Sequence, residues 1–333
     1  MRRSAPTLTD VARLAGVSEI TVSRVVRNKG SIAETTRVRV QEAIVKLGYV
    51  PNRAAGALAS AGAPLIGVLL PSLSNIVFPE VLRGIHTALA STGYQPLIGV
   101  TDYDPVKEQE LLSSLLAWQP AAIITTGFEH TDATRRMLAD SRVRVAELMD
   151  IDAEPIDIAV GLSQRRAGFD AGRHLIGRGY RRFGYVGHDW NADHRARLRY
   201  EGVRAALAEA DLGLTAEERF DGPSSTMAGR KTLAALLSWE PDLDVVVFSN
   251  DDMAVGGFFH CLGANISVGR ELGLFGFNGL DIGQVLPLPL STIRSHRFDI
   301  GRIAVEKLLE SSRRPEEKLI VDTGYEIIAG ATA

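Results

Sequence analysis

The stretch "GVSEITVSRVV", residues 16–26, carries two patterns in one short segment. Val17, Val22 and Val25 or Val26 recur at helical spacing and belong in a core, which turns Glu19, Ile20, Ser23 and Arg24 outward together. Just before it, "TLTDVARLAG" predicts a first helix with Thr9 as its N-cap, an apolar side of Val11, Ala12, Leu14 and Ala15, and Gly16 as its stop. Ser18 caps the second helix so soon afterwards that the two must cross, the helix-turn-helix arrangement. A third helix, at about Glu34 to Leu47, presents Val40, Ile44 and Leu47 at i, i+4, i+7 and ends at Gly48. Three short helices make a small core, large enough to hold one helix at the surface.

The charge distribution says what that outward face could meet. The net charge of −3 hides ten Lys/Arg against four Asp/Glu in residues 1–60, a head of +6 on a body of −9. A basic head suits a polyanion, and a major groove admits a single helix. On that reading Arg24 forks to guanine, Ile20 meets a thymine methyl and Glu19 accepts from a cytosine amino group, with Ser23 on the same face. Thr7, Thr9, Ser18, Thr21 and Arg27 touch the backbone of the duplex and set the register. The following "YVPNRAAGALAS" (49–60) stops the third helix at Pro51, caps a new segment at Asn52, and leaves a helix of barely two turns containing Gly56. That segment reads either as a plain linker or as a hinge that folds on DNA, with Arg53 beside the phosphates and Leu58 as an apolar wedge in the minor groove.

Beyond "ASAGAP" (59–64), apolar strand-like runs alternate with amphipathic helices: "LIGVLLP", a helix from Phe78 to Ala90, "YQPLIGV", "EQELLSSLLAW", "AAIITT" and "RVAELMD", then again from "RRFGYVG" through "LDVVVFS" to "LGLFGF". Strands so apolar are covered on both faces, which predicts two successive doubly wound lobes with parallel sheets. Clefts in such sheets open past the carboxyl ends of the strands. The residues there are Asn75 and Phe78, Asp150, Asn250 with Asp251 and Asp252, and Asn278 with Asp281; Arg199 adds a fork of donors from the second lobe. Carboxylates, amides and a guanidinium around one cleft suit a polyhydroxylated ligand, although any single Asp or Asn also serves as an ordinary helix cap.

In "LTDVARLAGVSEITVSRVV" and "TRVRVQEAIVKLGYVPNRAAGALA" the head resembles the DNA-binding domain of the LacI family, with three helices and a hinge in order. The resemblance implies that Glu19, Ile20 and Arg24 read bases, that Asn52 and Ala55 lie in the hinge, and that Leu58 intercalates. Ala33 departs from the Ser that usually caps the third helix in that family, and Gly56 loosens the hinge. "GVLLPSLSNIVFPEVLRGI", "ELMD", "DIAVG", "SNDDMAVGG" and "FNGLDIGQV" extend the resemblance over the body, which is similar to periplasmic sugar-binding proteins and, more narrowly, to the gluconate-utilisation repressors of the family. Asp150, Arg199, Asn250 and Asn278 match effector contacts there. Arg297, in "STIRSHRFDIG", falls where many sugar-binding members carry an aromatic ring, and either it or Arg199 is expected to hold the acid group of gluconate or a relative.

The expected organisation is therefore an all-α helix-turn-helix head at 1–50, a hinge helix and linker at 51–64, and a periplasmic-binding-protein-like α/β core at 65–333. Its first lobe would comprise 65–162 with 292–322, and its second 163–291 with 323–333. A single recognition helix offers few contacts, so a homodimer on a palindromic double-stranded operator is expected, released or strengthened by the effector. "HDWNADH" (188–194) superficially suggests a metal site but lacks a ligand spacing such as HExxH. No phosphate loop, GxGxxG or GxSxG elbow appears, so neither an enzyme nor a bound cofactor is expected. The polar N-terminus and the lone Cys261, in apolar "GGFFHCLGAN", point to a reducing cytoplasm and not to a periplasmic receptor or a membrane protein.

Overall fold

The structure is a computed structural model that describes residues 6–26, 30–49, 63–190, 193–310 and 317–333. The chain divides into two units, Met1–Ala63 and Pro64–Ala333. Arg27 and the expected hinge residues Asn52, Arg53, Ala55 and Leu58 lie outside the described residues.

The first unit holds α1 (Leu8–Ala15), α2 (Glu19–Val26) and α3 (Glu34–Leu47). Val11, Ala12, Ala15, Val22, Val25, Val40 and Ala43 form its core. Thr7, not Thr9, caps α1: its extended backbone lets the hydroxyl accept from Asp10 N, while the Asp10 side chain at N3 returns to Thr7 N at 2.9 Å, a capping box. Leu14 is exposed and not part of the apolar side. At about 100° per residue it lies roughly a quarter-turn from the centre of the face made by Val11, Ala12 and Ala15. Gly16 and Gly48 end their helices in the left-handed conformation that a side chain resists. Ala33 stands at the N-cap of α3 without a side-chain bond, as its residue type dictates.

The second unit carries two six-stranded sheets. The first contains β1 (Ala63–Leu70), β2 (Gln95–Val100), β3 (Pro120–Thr126), β4 (Arg144–Leu148), β5 (Ile158–Gly161) and β11 (Leu319–Asp322), in the order β11-β5-β4-β3-β1-β2. The second contains β6 (Phe183–Gly187), β7 (Leu214–Arg219), β8 (Val245–Phe248), β9 (Gly273–Asn278), β10 (Ser291–Ser295) and β12 (Tyr325–Ile328), in the order β12-β10-β9-β8-β6-β7. Inner strands such as β5, β6 and β8 are buried along their whole length, as cover on both faces requires. The described pairings are parallel except β10 with the edge strand β12, which is antiparallel.

Helices α4 (Val77–Leu89), α5 (Pro105–Leu116), α6 (Asp132–Asp140), α7 (Gln164–Gly177), α8 (His194–Glu209), α9 (Thr226–Trp239), α10 (Asp251–Ala264), α11 (Asp281–Gln284) and α12 (Arg297–Leu309) cover the sheets. β10 pairs with β9, so the chain returns to the first lobe after Ser295, through α12 packed on α4, and not before residue 292 as expected. Among the described residues no helix is long and apolar enough to cross a membrane.

Three helix pairs share one device. Gly84 and Gly301 face each other where α4 crosses α12, Gly168 and Gly202 where α7 crosses α8, and Gly229 and Gly256 where α9 crosses α10. A Cβ at any of the six would land on a backbone oxygen of the opposite helix, well inside van der Waals contact. These crossings bring the backbones together and fix the depth at which each helix, with the cleft residues it carries, meets its neighbour.

Candidate functional site

In the head, burial of Val22 and Val25 turns Glu19, Ile20 and Arg24 to the exposed side of α2, with Ile20 67% exposed. An isoleucine so open is costly in water unless something apolar covers it. Arg24 has no ion pair among the described residues, whereas the Glu19 carboxylate accepts from the Thr9 hydroxyl at 2.7 Å. The Ser18 hydroxyl lies 2.9 Å from that of Thr21 and accepts from Thr21 N, which caps α2. Ser23 is half-buried beside this face.

In the second unit a cavity of about 800 Å³ opens at the carboxyl ends of strands from both sheets. Pro71, Ser72, Ser74, Asn75 and Ile76 follow β1, and Asp102 and Tyr103 follow β2. His188, Asp189 and Asp193 follow β6, Ser224, Ser225 and Thr226 follow β7, Asn250 and Asp252 follow β8, and Asn278 closes β9. Asn250 stands at the N-cap position of α10 without capping it. Its amide oxygen instead accepts from Arg199 Nη2 at 3.2 Å and from Asn278 Nδ2 at 3.1 Å. Asn75 Nδ2 donates to the Tyr103 hydroxyl at 2.9 Å. Asp102, Tyr103 and Asn278 adopt positive φ, a conformation that costs each about 1–3 kcal/mol and concentrates where function over-determines the backbone.

Of the ten cleft residues expected from sequence, Asn75, Asn250, Asp252 and Asn278 line the cavity. Phe78 does not: as the second residue of α4 it turns inward and is fully buried, stacked under the Arg195 guanidinium with the charge 5.6 Å from the ring centre. Arg199 lies behind the wall, donating to Gln164 Oε1 at 2.8 Å and to the Ser249 carbonyl at 3.0 Å, over the Phe277 ring. Arg297 likewise does not face the cleft. Its Nε pairs with Glu80 at 2.6 Å and its Nη1 donates to the Asn278 carbonyl, so its fork is already occupied. Asp251 is buried, accepting from Thr292 Oγ1 at 2.6 Å and Leu280 N at 2.7 Å, and Asp281 is exposed away from the lining. Tyr103, His188 and Asp193 are lining residues that the sequence reading missed. His188 is held between Ser249 Oγ at 2.8 Å and Asp193 Oδ2 at 3.5 Å.

Asp150 is buried beside the cavity and outside its lining, accepting from Ile151 N at 2.7 Å and Asp152 N at 3.0 Å. Burial pushes its carboxyl up to about 7 from an ordinary 3.8. The folded chain therefore holds a proton here that the unfolded chain has already released between pH 4 and 7. Stability falls as pH rises through that window, at up to about 1.4 kcal/mol per pH unit. Asp150→Asn keeps the acceptor and removes the titration, so the urea midpoint of the variant is expected to fall less between pH 4 and 7 and to exceed wild type at pH 8. The slope that persists below pH 6 belongs to Asp251, pushed by burial to about 6.

The chain matches two family models: bacterial regulatory proteins of the lacI family over residues 7–52, and the periplasmic binding proteins and sugar binding domain of the LacI family over residues 63–324. It is 41% identical to the HTH-type transcriptional regulator GntR of Pseudomonas aeruginosa, over 97% of this chain and 94% of that one. The GntR regulator of Escherichia coli is 35% identical over the full length of both chains. A crystal structure of a LacI family transcriptional regulator from Silicibacter pomeroyi superposes with a TM-score of 0.93 at 42% identity, covering 98% of this chain and 99% of that one. These relatives are regulators, not enzymes.

Proposed function

We propose, for a chain that belongs to the LacI family of bacterial regulatory proteins and is a DNA-binding transcriptional regulator, that it represses sugar-acid utilisation genes of the gluconate type. It does so as a homodimer on a palindromic operator and lets go when a polyhydroxylated acid fills the interlobe cavity. The observation that carries this reading is the cavity itself, with Asn75, Asn250, Asp252 and Asn278 drawn from both lobes around one hollow. Each amide or carboxylate there can exchange donors and acceptors with a ligand hydroxyl. The segments that resemble gluconate-utilisation repressors, among them "SNDDMAVGG" and "FNGLDIGQV", support the ligand class. Exposed Met227, Phe259 and Leu262 on α9 and α10, which pack against one another, offer apolar area that a second copy would cover.

The mechanism is differential affinity. A ligand touching both lobes favours the closed arrangement, and if that arrangement spaces the paired heads differently, DNA and ligand each weaken the other by the same factor. Gel shift on a palindromic duplex at fixed salt, with and without gluconate or 2-ketogluconate, tests this. Release by one of the acids supports the proposal, tighter binding makes the acid a corepressor, and indifference to every palindrome overturns the operator reading. Within the head, Glu19, Ile20, Ser23 and Arg24 supply base contacts, and Thr7, Thr9, Ser18 and Thr21 supply backbone contacts. Arg24→Ala is expected to cost about 1–3 kcal/mol on the preferred operator and to relax discrimination at one base pair. An equal loss on every duplex would reassign Arg24 to a phosphate.

A further inference from the structure

Among the described residues the cavity lining contains four aspartates, Asp102, Asp189, Asp193 and Asp252, and no lysine or arginine. A ligand that carries a carboxylate needs a cation from just behind that wall. Among the buried arginines near that wall, Arg297 is engaged by Glu80 and the Asn278 carbonyl, and the terminal nitrogens of Arg199 by Gln164, Ser249 and Asn250, while the exposed Arg197 and Arg219 border a separate hollow beside His188 and Asp189. Arg195 is different. Its side chain reaches from the second residue of α8 to lie over Phe78 of α4 in the other lobe, and it is only 8% exposed. Nε sits 3.6 Å from Asp193 Oδ1, too far for a good hydrogen bond, and no group among the described residues accepts from its two terminal nitrogens.

Arg195 lines a recess of about 70 Å³ that adjoins the cavity through Pro71, Tyr103 and Asp193. That volume exceeds the roughly 30 Å³ share of one water and is of the size a carboxylate occupies. The four acids that share the recess already have donors. Asp193 accepts from Ala196 N at 3.1 Å and faces His188, Asp104 caps α5, Glu108 takes His130 at 2.6 Å, and Glu129 takes Phe128 N at 3.2 Å. Their demand is met within the protein, while the demand of the Arg195 fork is not. Guanidinium donors without a protein acceptor that remain accessible are available to a ligand, and a planar bidentate acceptor satisfies both at once.

We propose that Arg195 is the residue that makes the cavity specific for an acid, binding the ligand carboxylate in this recess while the polyol chain runs toward Asn250 and Asn278. The inference rests on the reading of the cavity as an effector site. Because Arg195 belongs to one lobe and Phe78 and Tyr103 to the other, the same contact ties the lobes together around the ligand.

Calorimetry on the full chain with gluconate and with glucitol, which replaces the carboxylate by a hydroxymethyl group, tests it. Wild type is expected to prefer gluconate by about 10²-fold, and Arg195→Met to erase that preference while moving glucitol affinity by no more than about threefold. Arg195→Lys keeps the charge without the fork and is expected to recover part of the preference, about tenfold. If Arg195→Met fails to fold, the lysine variant decides alone: a selective loss for gluconate supports the proposal, and unchanged gluconate affinity overturns it. A preference that survives in Arg195→Met, or an equal loss for both ligands, also overturns it and leaves the effector reading standing. A wild-type chain that binds no sugar acid overturns both.

Discussion

Gly202→Val is expected to destabilise the core by more than about 3 kcal/mol, seen as a large fall in the urea midpoint or as insoluble protein, although the substitution itself removes no polar group. A Cβ at residue 202 would meet the Arg165 carbonyl oxygen and Phe169 N across the α7–α8 crossing, and one at Gly168 would meet the Arg199 carbonyl. Side chains can repack around an added methyl group, but two helix backbones cannot without separating. Separation would strip contacts along α7 and α8, which also carry Gln164, Arg195 and Arg199 into the cleft wall. Gly177→Ala is the control. It ends α7, the helix that Gly202 packs against, its Cβ would meet nothing within 4 Å, and the substitution should be neutral or stabilise by up to about 1 kcal/mol through the unfolded chain. Equal behaviour of the two variants would show that glycine matters here only for helix propensity.

Such crossings mark what a single sequence hides. Within "RRAGFDAGRH" Gly168 reads as a minor cost to a helix, and only the pairing of α7 with α8 gives it a reason. Strand ends were legible because apolar runs stop at Asn or Asp, and that rule leads to Asn75, Asn250 and Asn278. Followed past "YQPLIGV" and "RRFGYVG" it would also have reached Tyr103 and His188. The edge strands β7 and β11 escaped notice because "LTAEER" and "LIVD" alternate or face solvent, unlike the buried runs. Phe78 and Arg297 were misplaced for a common reason. Proximity to a strand end in sequence says nothing of helix phase, and each sits in the first turn of a helix that turns it away from the cavity. Thr7 was passed over as a cap because Thr9 and Thr7 both precede an apolar run, and only the return contact from Asp10 separates them.

Arg199→Met is expected to cost about 3–5 kcal/mol, the usual scale for removing one member of a buried polar network. Arg199 is buried, and its fork supplies Gln164 Oε1, the Ser249 carbonyl and Asn250 Oδ1, while its plane covers the Phe277 ring at 4.1 Å. Methionine fills most of the volume and keeps the ring contact, but leaves the Ser249 carbonyl and Gln164 without this donor. Asn250 keeps Asn278 as a donor, so its amide is loosened and not orphaned. The urea midpoint should therefore drop sharply, and Arg199→Lys should recover little, because one ammonium cannot span three acceptors set for a planar fork. Ligand affinity separates two roles for this residue. If Arg199 positions Asn250 and Gln164, sugar acid and matching alditol weaken together at temperatures where the variant remains folded. If instead Arg199 touches the ligand carboxylate, the acid alone weakens and stability barely moves. Both terminal nitrogens of its guanidinium are engaged within the protein, and its Nε is buried without a partner among the described residues, which favours the first outcome and leaves Arg195 as the buried cation whose fork still meets a recess.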